Sequence, residues 1–246
     1  MAQDPPLPFY ELAGVKVWRA EEWFPTKSMQ GAQVAFHPRD RSQVTGIAIH
    51  HDAVAFDGAD KNFNGQTWDE EKTRMGASYN WHTKHYPGFM PGGAFSGWNW
   101  PGMGYHHYVF PSGRVYEVGR LSTVRAHVAH RNTPLAGVVM AGDFSANRPQ
   151  LGTLLAAALS CLYLWTWAGR NLAIKGHRQY AVPGWETSCP GDTYRWSVPQ
   201  IIEAATVLSR RPEVDPDVAI RAALTPTWNA GDWQFLHDQL RYIGFH

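Results

Sequence analysis

The chain contains little cysteine and little charge. Its 246 residues include two cysteines, Cys161 and Cys189, and 17% charged residues, with a formal net charge of +1 at pH 7. Two cysteines cannot build the disulfide framework of a small secreted scaffold, and we expect them to be unpaired. A near-neutral charge balance gives no electrostatic basis for binding nucleic acid. A chain of this length buries a core without covalent staples, so we expect an ordinary globular protein.

Long hydrophobic runs are also missing. The most apolar segment, 151–168, contains Ser160, Thr166 and several large aromatic residues, and no run approaches the ~20 apolar residues of a membrane span. We predict a buried helix there. The N-terminus, MAQDPPLPFYELAGVKVW, has no basic stretch before an apolar run, so no secretory signal is predicted. We therefore expect a protein that is synthesised in the cytoplasm and acts elsewhere only after release. We also expect it to be a monomer.

Tryptophan, histidine and proline are abundant, with 12, 12 and 17 residues respectively. Tryptophan at this level suits stacking on sugar rings, but large aromatic side chains also fill a core and its rim. Both interpretations stay open for the tryptophans of segment 52–100, which are Trp68, Trp81, Trp98 and Trp100.

Apolar and β-branched runs predict the strands of one central sheet. These runs are 15–23 (continuing into a turn or helix), 44–50, 104–110, 114–118, 136–141 and 172–176. The turn Pro111-Ser112-Gly113 joins two of them into a hairpin. Helices are predicted around 68–82, over 150–170 and over 197–210, the last with Ser197 as its N-cap. Strands mixed with helices around one sheet indicate an α/β or α+β domain.

Composition divides the chain into three parts. Residues 1–14 are rich in proline and are expected to be irregular. Residues 15–210 form the main domain, in which 52–100 is an insertion-like stretch expected to form surface structure over one end of the sheet. Residues 211–246 are a linker followed by a tail with one or two short helices.

Three side chains suited to binding metal follow apolar strands or lie in the loop beyond one. They are His50 in IAIHHDA, His177 after LAIKG and Cys189 in ETSCPG. Two imidazoles and a thiolate leave one coordination position open, as a catalytic zinc ion requires. Taken singly, each could instead be a structural histidine or a small buried thiol. Neighbouring side chains of a strand point to opposite faces, so only one of His50 and His51 can face the site, and we favour His50.

The other candidates have ordinary structural interpretations. His106 and His107 are expected to be packing or surface groups, and Cys161 an inert core residue. Arg178 is a candidate substrate contact, with a structural ion pair as the alternative. Surface positions are predicted for His82, His85 and His130, with His82 alternatively facing the groove.

Six segments, in order, resemble the amidase-2 / peptidoglycan recognition protein superfamily, which includes amidase-type phage endolysins. They are VWRAEEW, IAIHHDA, GYHHYVF with SGRVYEVGR, RAHVAHRN, AGVVMAGDF, and GHRQY with TSCPG. The resemblance spans roughly 17–208. It implies a central mixed β-sheet flanked by helices, with an enlarged insertion after the first metal-ligand strand.

The resemblance also implies roles for individual residues. The zinc ligands would be His50, His177 and Cys189. Tyr105 stands where family amidases use a tyrosine near the metal-bound water, Thr187 stands two residues before the cysteine ligand, and His127 stands where a histidine lines the site. Candidate substrate-binding residues are Trp81, Trp98, Asn132 and Arg178. Two features depart from the family pattern: the loop between His177 and Cys189 is longer, and segment 52–100 is much enlarged. In addition, segment 138–141 lacks the glutamate base of some cytoplasmic relatives.

The implied reaction is hydrolysis of the amide between N-acetylmuramic acid and L-alanine in peptidoglycan by a zinc-activated water, as in a phage or prophage endolysin. Two other functions stay open. One is a peptidoglycan-binding module of the same fold without activity, in which the cysteine is typically replaced. The other is a cysteine peptidase that uses Cys189 with His177 or His127. Such nucleophiles usually lie at a helix N-terminus, whereas Cys189 precedes Pro190-Gly191 in a predicted loop.

Overall fold

The computed structural model describes residues 4–27, 36–53, 67–83 and 99–210. Within these ranges the strands are β1 (Phe9–Leu12), β2 (Val15–Arg19), β3 (Gly46–His51), β4 (His107–Val109), β5 (Val115–Glu117), β6 (Leu135–Met140) and β7 (Ala173–Gly176). The α-helices are α1 (Trp68–Thr83), α2 (Leu151–Ala168), α3 (His177–Tyr180) and α4 (Tyr194–Arg210). The predicted tail 211–246, together with His85 and Trp98, lies outside the described residues.

The strands form one mixed sheet in the order β1-β2-β5-β4-β6-β3-β7. Strand β3 is parallel to β6 on one side and to β7 on the other, and all of its residues are buried. Strands β4 and β5 form the predicted antiparallel hairpin. The predicted α/β class, a central mixed sheet flanked by helices, is therefore confirmed.

Helices α2 and α4 cover one face of the sheet. Their apolar residues form the largest core cluster together with strand residues such as Val17, Val109 and Val138. By length and hydropathy, α2 alone among the described helices qualifies as a candidate membrane span, but 83% of its 18-residue window is buried inside the protein. It is the buried core helix that the sequence predicts.

Helix α1 lies on the opposite face. Its Met75 packs with Tyr108, Tyr116 and Val139. These residues alternate along β4, β5 and β6 with members of the α2 core, and alternate residues of a strand point to opposite sides of a sheet. The sheet is therefore covered by helices on both faces.

Two buried ion pairs attach α1 to the sheet. Glu71 and Arg74 are both 0% exposed. Arg74 donates from Nε and Nη2 to the carboxylate of Asp52, each at 2.6 Å, and Glu71 pairs with Arg114 at 3.2 Å. Asp69, Glu70 and Lys72 on the other side of α1 are exposed, so α1 forms part of the protein surface while Glu71 and Arg74 are paired beneath it.

Two predicted boundaries differ from the structure. Strand β1 lies inside segment 1–14, which was expected to be irregular, and its backbone is ordered by antiparallel pairing with β2 although most of its side chains are exposed. Helix α4 begins at Tyr194, so Ser197 lies within the helix and is not its N-cap. The turn after Gly191 starts the helix earlier than the Ser–Pro pattern indicates. The Ser197 hydroxyl therefore donates to the carbonyl of Thr193, one turn back along the helix, at 3.3 Å.

Candidate metal centre

The register of two parallel strands brings His50 and His177 together. Ile49 of β3 is paired with Gly176 of β7. The residues that follow them, His50 and His177, therefore lie next to each other at the carboxyl ends of the two strands. The ring centroids of His50 and His177 are 4.5 Å apart. Sγ of Cys189 lies 3.6 Å from Nδ1 of His50. One potential ligand atom from each of the three lies within 4.8 Å of the others, and in the described ranges this is the one group of its kind able to hold a metal ion.

His51 does not join this group. Its Nδ1 accepts a hydrogen bond from the backbone N–H of Phe144 at 3.1 Å and lies 3.6 Å from the carboxylate of Asp143. The alternation of side chains along β3 therefore selects His50, as the sequence predicts.

Arg178 closes the long loop that leads to Cys189. Its backbone N–H donates to the carbonyl of Cys189 at 3.0 Å. Its guanidinium donates to the carboxylate of Asp192 at 3.0 Å and to the carbonyl of Ser188. The hydroxyl oxygen of Thr187 accepts from the backbone N–H of Cys189 at 3.1 Å. Thr187 and Arg178 thus position Cys189, and Arg178 has the structural ion pair that was the alternative to a substrate contact.

His127 lies against His50 on the side away from Cys189. Nδ1 of His127 is 3.1 Å from Nε2 of His50, and Nε2 of His127 is 3.2 Å from the carbonyl oxygen of Leu135. The side-chain oxygen of Asn132 accepts from the backbone N–H groups of His127 and Val128 at 2.9 and 2.8 Å. Asn132 is a candidate substrate-binding residue by sequence, and in the structure its side-chain oxygen holds the His127 loop.

Tyr105 stands beside the three candidate ligands. Its ring centroid is 5.1 Å from that of His50. His82 packs edge-on against Tyr105 at 5.3 Å and stacks on Trp100 at 4.8 Å. His82 is only 5% exposed, so its predicted surface position is wrong, because this aromatic stack encloses its ring.

The remaining candidates fall outside the group. His106 and His107 are fully buried packing groups. His130 is exposed, as predicted, with its ring 5.2 Å from that of Trp185. Trp81 is 39% exposed on helix α1.

Burial sets the protonation of the centre. It lowers the pKa of His50 well below its usual value, with further lowering by His177 and His127. It lowers the pKa of His177 to about 4. Burial likewise raises the pKa of the Cys189 thiol to about 12. At neutral pH the imidazoles are therefore uncharged and have lone pairs to offer, while the thiol keeps its proton unless a cation displaces it.

Two buried polar residues that support the centre are not identified by any sequence motif. Arg39 is 5% exposed and donates to the carbonyl of Leu135 at 2.6 Å and to that of Leu121 at 3.0 Å. Asp52 accepts from Arg74 and also from the backbone N–H of Gly142 at 3.0 Å. A carboxylate directly after a buried His-His pair could have suggested a structural role for Asp52, but Arg39 stands among ordinary loop residues.

The fold and the site together define an α/β domain with a candidate His-His-Cys metal centre where β3 and β7 end. Residues 40–192 match the sequence profile of the amidase-2 family, N-acetylmuramoyl-L-alanine amidase. The chain belongs to this family. No curated protein sequence matches it.

Solved structures of peptidoglycan recognition proteins share the fold. Drosophila peptidoglycan recognition protein SD is 20% identical over 74% of this chain and 92% of its own, with a TM-score of 0.55. The complex of tracheal cytotoxin with the ectodomains of peptidoglycan recognition proteins LCa and LCx gives 22% identity over 67% of this chain and 86% of that chain, with a TM-score of 0.51. A tyrosine-to-phenylalanine variant of Drosophila PGRP-LB bound to tracheal cytotoxin gives 18% identity, 74% and 92% coverage, and a TM-score of 0.51. At these identities the similarity shows the fold alone.

Proposed function

We propose that this protein is a zinc-dependent N-acetylmuramoyl-L-alanine amidase that hydrolyses the bond between N-acetylmuramic acid and L-alanine in bacterial peptidoglycan. The observation that carries the proposal is the complete group of His50, His177 and Cys189 with Tyr105 beside it. Family membership supports peptidoglycan as the substrate class.

The donor set fits zinc. Two imidazole nitrogens and one thiolate are ligands that Zn²⁺ prefers, and three protein ligands leave a position open for chemistry. Zinc held by His50, His177 and Cys189 would supply a Lewis acid and a water whose pKa falls to about 7. The lowered pKa values of both histidines keep their lone pairs available, so only the thiol must lose a proton on binding.

Tyr105 is suited to donate a hydrogen bond. Burial raises the pKa of Tyr105 above its usual value, and the neighbouring Cys189 raises it further. Its hydroxyl therefore keeps its proton at neutral pH and can stabilise negative charge that develops on the amide oxygen. The Thr187 hydroxyl accepts from Cys189, which leaves its own O–H free to act as a second donor.

Metal analysis combined with cell-wall digestion tests the proposal. We expect the purified protein to carry about one equivalent of zinc and to release free L-alanine amino groups from cell walls. His50→Ala and Cys189→Ala should lose both properties. Cys161→Ala is the matched control, because Cys161 is buried in the α2 core and its removal should change neither zinc content nor activity.

Two results would reject the amidase. Zinc binding and cell-wall binding without release of amino groups would identify a recognition module. Activity that survives a chelator but is lost in Cys189→Ala would identify a cysteine peptidase. The raised pKa of Cys189 argues against the peptidase, because such enzymes depend on a thiol whose pKa is lowered.

We further propose that the protein acts as a phage-type endolysin that reaches the wall after release from the cytoplasm. Expression in intact bacteria should then leave the culture turbid until the inner membrane is permeabilised, after which rapid clearing is expected. Clearing without permeabilisation, or none after it, contradicts this.

A further inference from the structure

Three groups form a hydrogen-bonded chain that leads away from the candidate metal centre. Nε2 of His50 lies 3.1 Å from Nδ1 of His127. Nε2 of His127 lies 3.2 Å from the carbonyl oxygen of Leu135. His50 and His127 are 1% and 7% exposed, so no bulk water substitutes for these partners.

The last group in this chain determines the positions of the hydrogens. A carbonyl oxygen only accepts, so the Leu135 carbonyl requires a hydrogen on Nε2 of His127. Arg39 donates to the same carbonyl at 2.6 Å. The positive charge of its guanidinium disfavours a positive charge on His127, so His127 stays neutral. Neutral His127 then carries no hydrogen on Nδ1 and accepts from Nε2 of His50. Neutral His50 consequently has its free lone pair on Nδ1, the atom 3.6 Å from Cys189.

We propose that His127 is a positioning residue, and not a catalytic one, that holds His50 in the tautomer and ring orientation that offer Nδ1 to the metal ion. The inference rests on the proposed zinc site. The second ring nitrogen of a metal-binding histidine commonly donates to an outer group, and loss of such a group typically lowers metal affinity 10–100-fold. Here the outer group is a second histidine.

The surrounding structure is shaped to place this ring. A Cβ atom at Gly137 would lie 2.8 Å from Cγ of His127, so only glycine allows the ring to sit against β6 at this point. The carboxamide of Asn132 fixes the backbone of the His127 loop, and Arg39 fixes the Leu135 carbonyl at the far end. Gly137, Asn132 and Arg39 thus hold the His127 ring in one position, as expected of a residue that orients another side chain.

Zinc affinity measured by competition with a chelator tests the inference. His127→Phe removes the acceptor and keeps a ring, and we expect about 10–100-fold weaker zinc binding. His127→Gln can accept from His50 through its oxygen and donate to Leu135 through its amide, so its affinity should stay within about 3-fold of wild type. His107→Gln is the matched control, because His107 is an equally buried histidine bonded to Ser160, and it should leave zinc affinity unchanged.

Two further measurements separate positioning from simple misfolding. Thermal unfolding of each metal-free variant reports whether the fold is kept. Nitrogen-15 NMR of the metal-free wild-type protein reports the tautomer directly, and we expect the hydrogen of His50 on Nε2. Undiminished zinc affinity in folded His127→Phe, equal losses in the Phe and Gln variants, or a hydrogen on Nδ1 of His50 would overturn the inference. Zinc binding with this tautomer but without cell-wall cleavage would reject the proposed amidase and leave the positioning role standing.

Discussion

The two long helices on opposite faces of the sheet are held by different forces. Helix α2 buries nearly all of its apolar surface against the main core and helix α4. Helix α1 has the polar sequence WDEEKTRMGASYNWHT and is attached through buried Glu71 and Arg74. Apolar burial is non-directional and follows area, whereas a buried charge tolerates only a partner in the right geometry. We therefore expect the stability of the protein to depend more strongly on a single contact on the α1 face of the sheet than on a single contact on the α2 face.

The polar attachment also reaches the candidate metal centre. Asp52, the partner of Arg74, directly follows strand β3 and also accepts from Gly142 just after β6. Because His50 stands two residues before Asp52, the anchor of α1 fixes the end of the strand that carries this ligand.

The largest expected effect is at the α1 anchor. Arg74→Met leaves the buried Asp52 carboxylate without its cation, and breaking such a pair costs about 4 kcal/mol of unfolding free energy. Urea unfolding monitored by circular dichroism measures the change. A loss below about 1 kcal/mol would mean that the ion pair does not hold the helix.

The corresponding change on the α2 face is Leu159→Ala. Leu159 is 2% exposed in the main core, so its truncation removes buried apolar surface and leaves a cavity, at a cost of about 3 kcal/mol. The same unfolding assay applies. A cost clearly above that of Arg74→Met would reverse the proposed contrast between the two faces.

The α2 face contains one buried titratable contact that can be tested by pH. His107 bonds to Ser160 at 2.8 Å, and burial lowers its pKa from 6.5 to about 3. The folded state therefore excludes a proton that the unfolded state binds, so stability is complete above about pH 6.5 and declines toward pH 3. At pH 5 the loss from this group is about 2 kcal/mol.

His107→Leu should remove that component of the pH dependence. The unfolding free energy of the variant minus that of the wild type should therefore increase by about 2 kcal/mol from pH 7 to pH 5. Equal pH dependence in both proteins would show that His107 is not kept neutral by the core.

The smallest effect is expected at an ion pair in water. Asp192 pairs with Arg178, but its side chain is 78% exposed, and exposed pairs contribute about 0–1 kcal/mol. Asp192→Asn should change the unfolding free energy by less than about 0.5 kcal/mol. A loss comparable to that of Arg74→Met would show that burial is not what distinguishes the α1 anchor.

Apolar patterns predict the parts of the fold that are held by apolar packing. Strands β3, β6 and β7 and helix α2 follow directly from their β-branched or leucine-rich runs. The sequence predicts helix α1 but not the burial of Glu71 and Arg74, because no local pattern shows that these two residues have partners distant in the chain. The sequence does not predict strand β1, because most of its side chains are exposed and only backbone pairing orders it.

The candidate site divides in the same way. His50 and His177 can be predicted together because His50 lies near the end of one apolar strand and His177 directly follows another. The register of β3 with β7 then places them side by side. The contact between His127 and His50 could not be predicted, since it depends on a loop that folds against Gly137. The roles of Asn132 and Arg39 depend on that loop as well.

Strand β1 has a practical consequence for protein production. It covers the outer edge of β2, whose Val15 and Val17 are buried. A shortened protein that starts at residue 15, where the sequence composition sets the domain boundary, would expose that edge, and an open edge pairs readily with strands of other molecules. Recombinant material for crystallisation or concentrated storage should therefore retain Phe9–Leu12, or it will tend to precipitate.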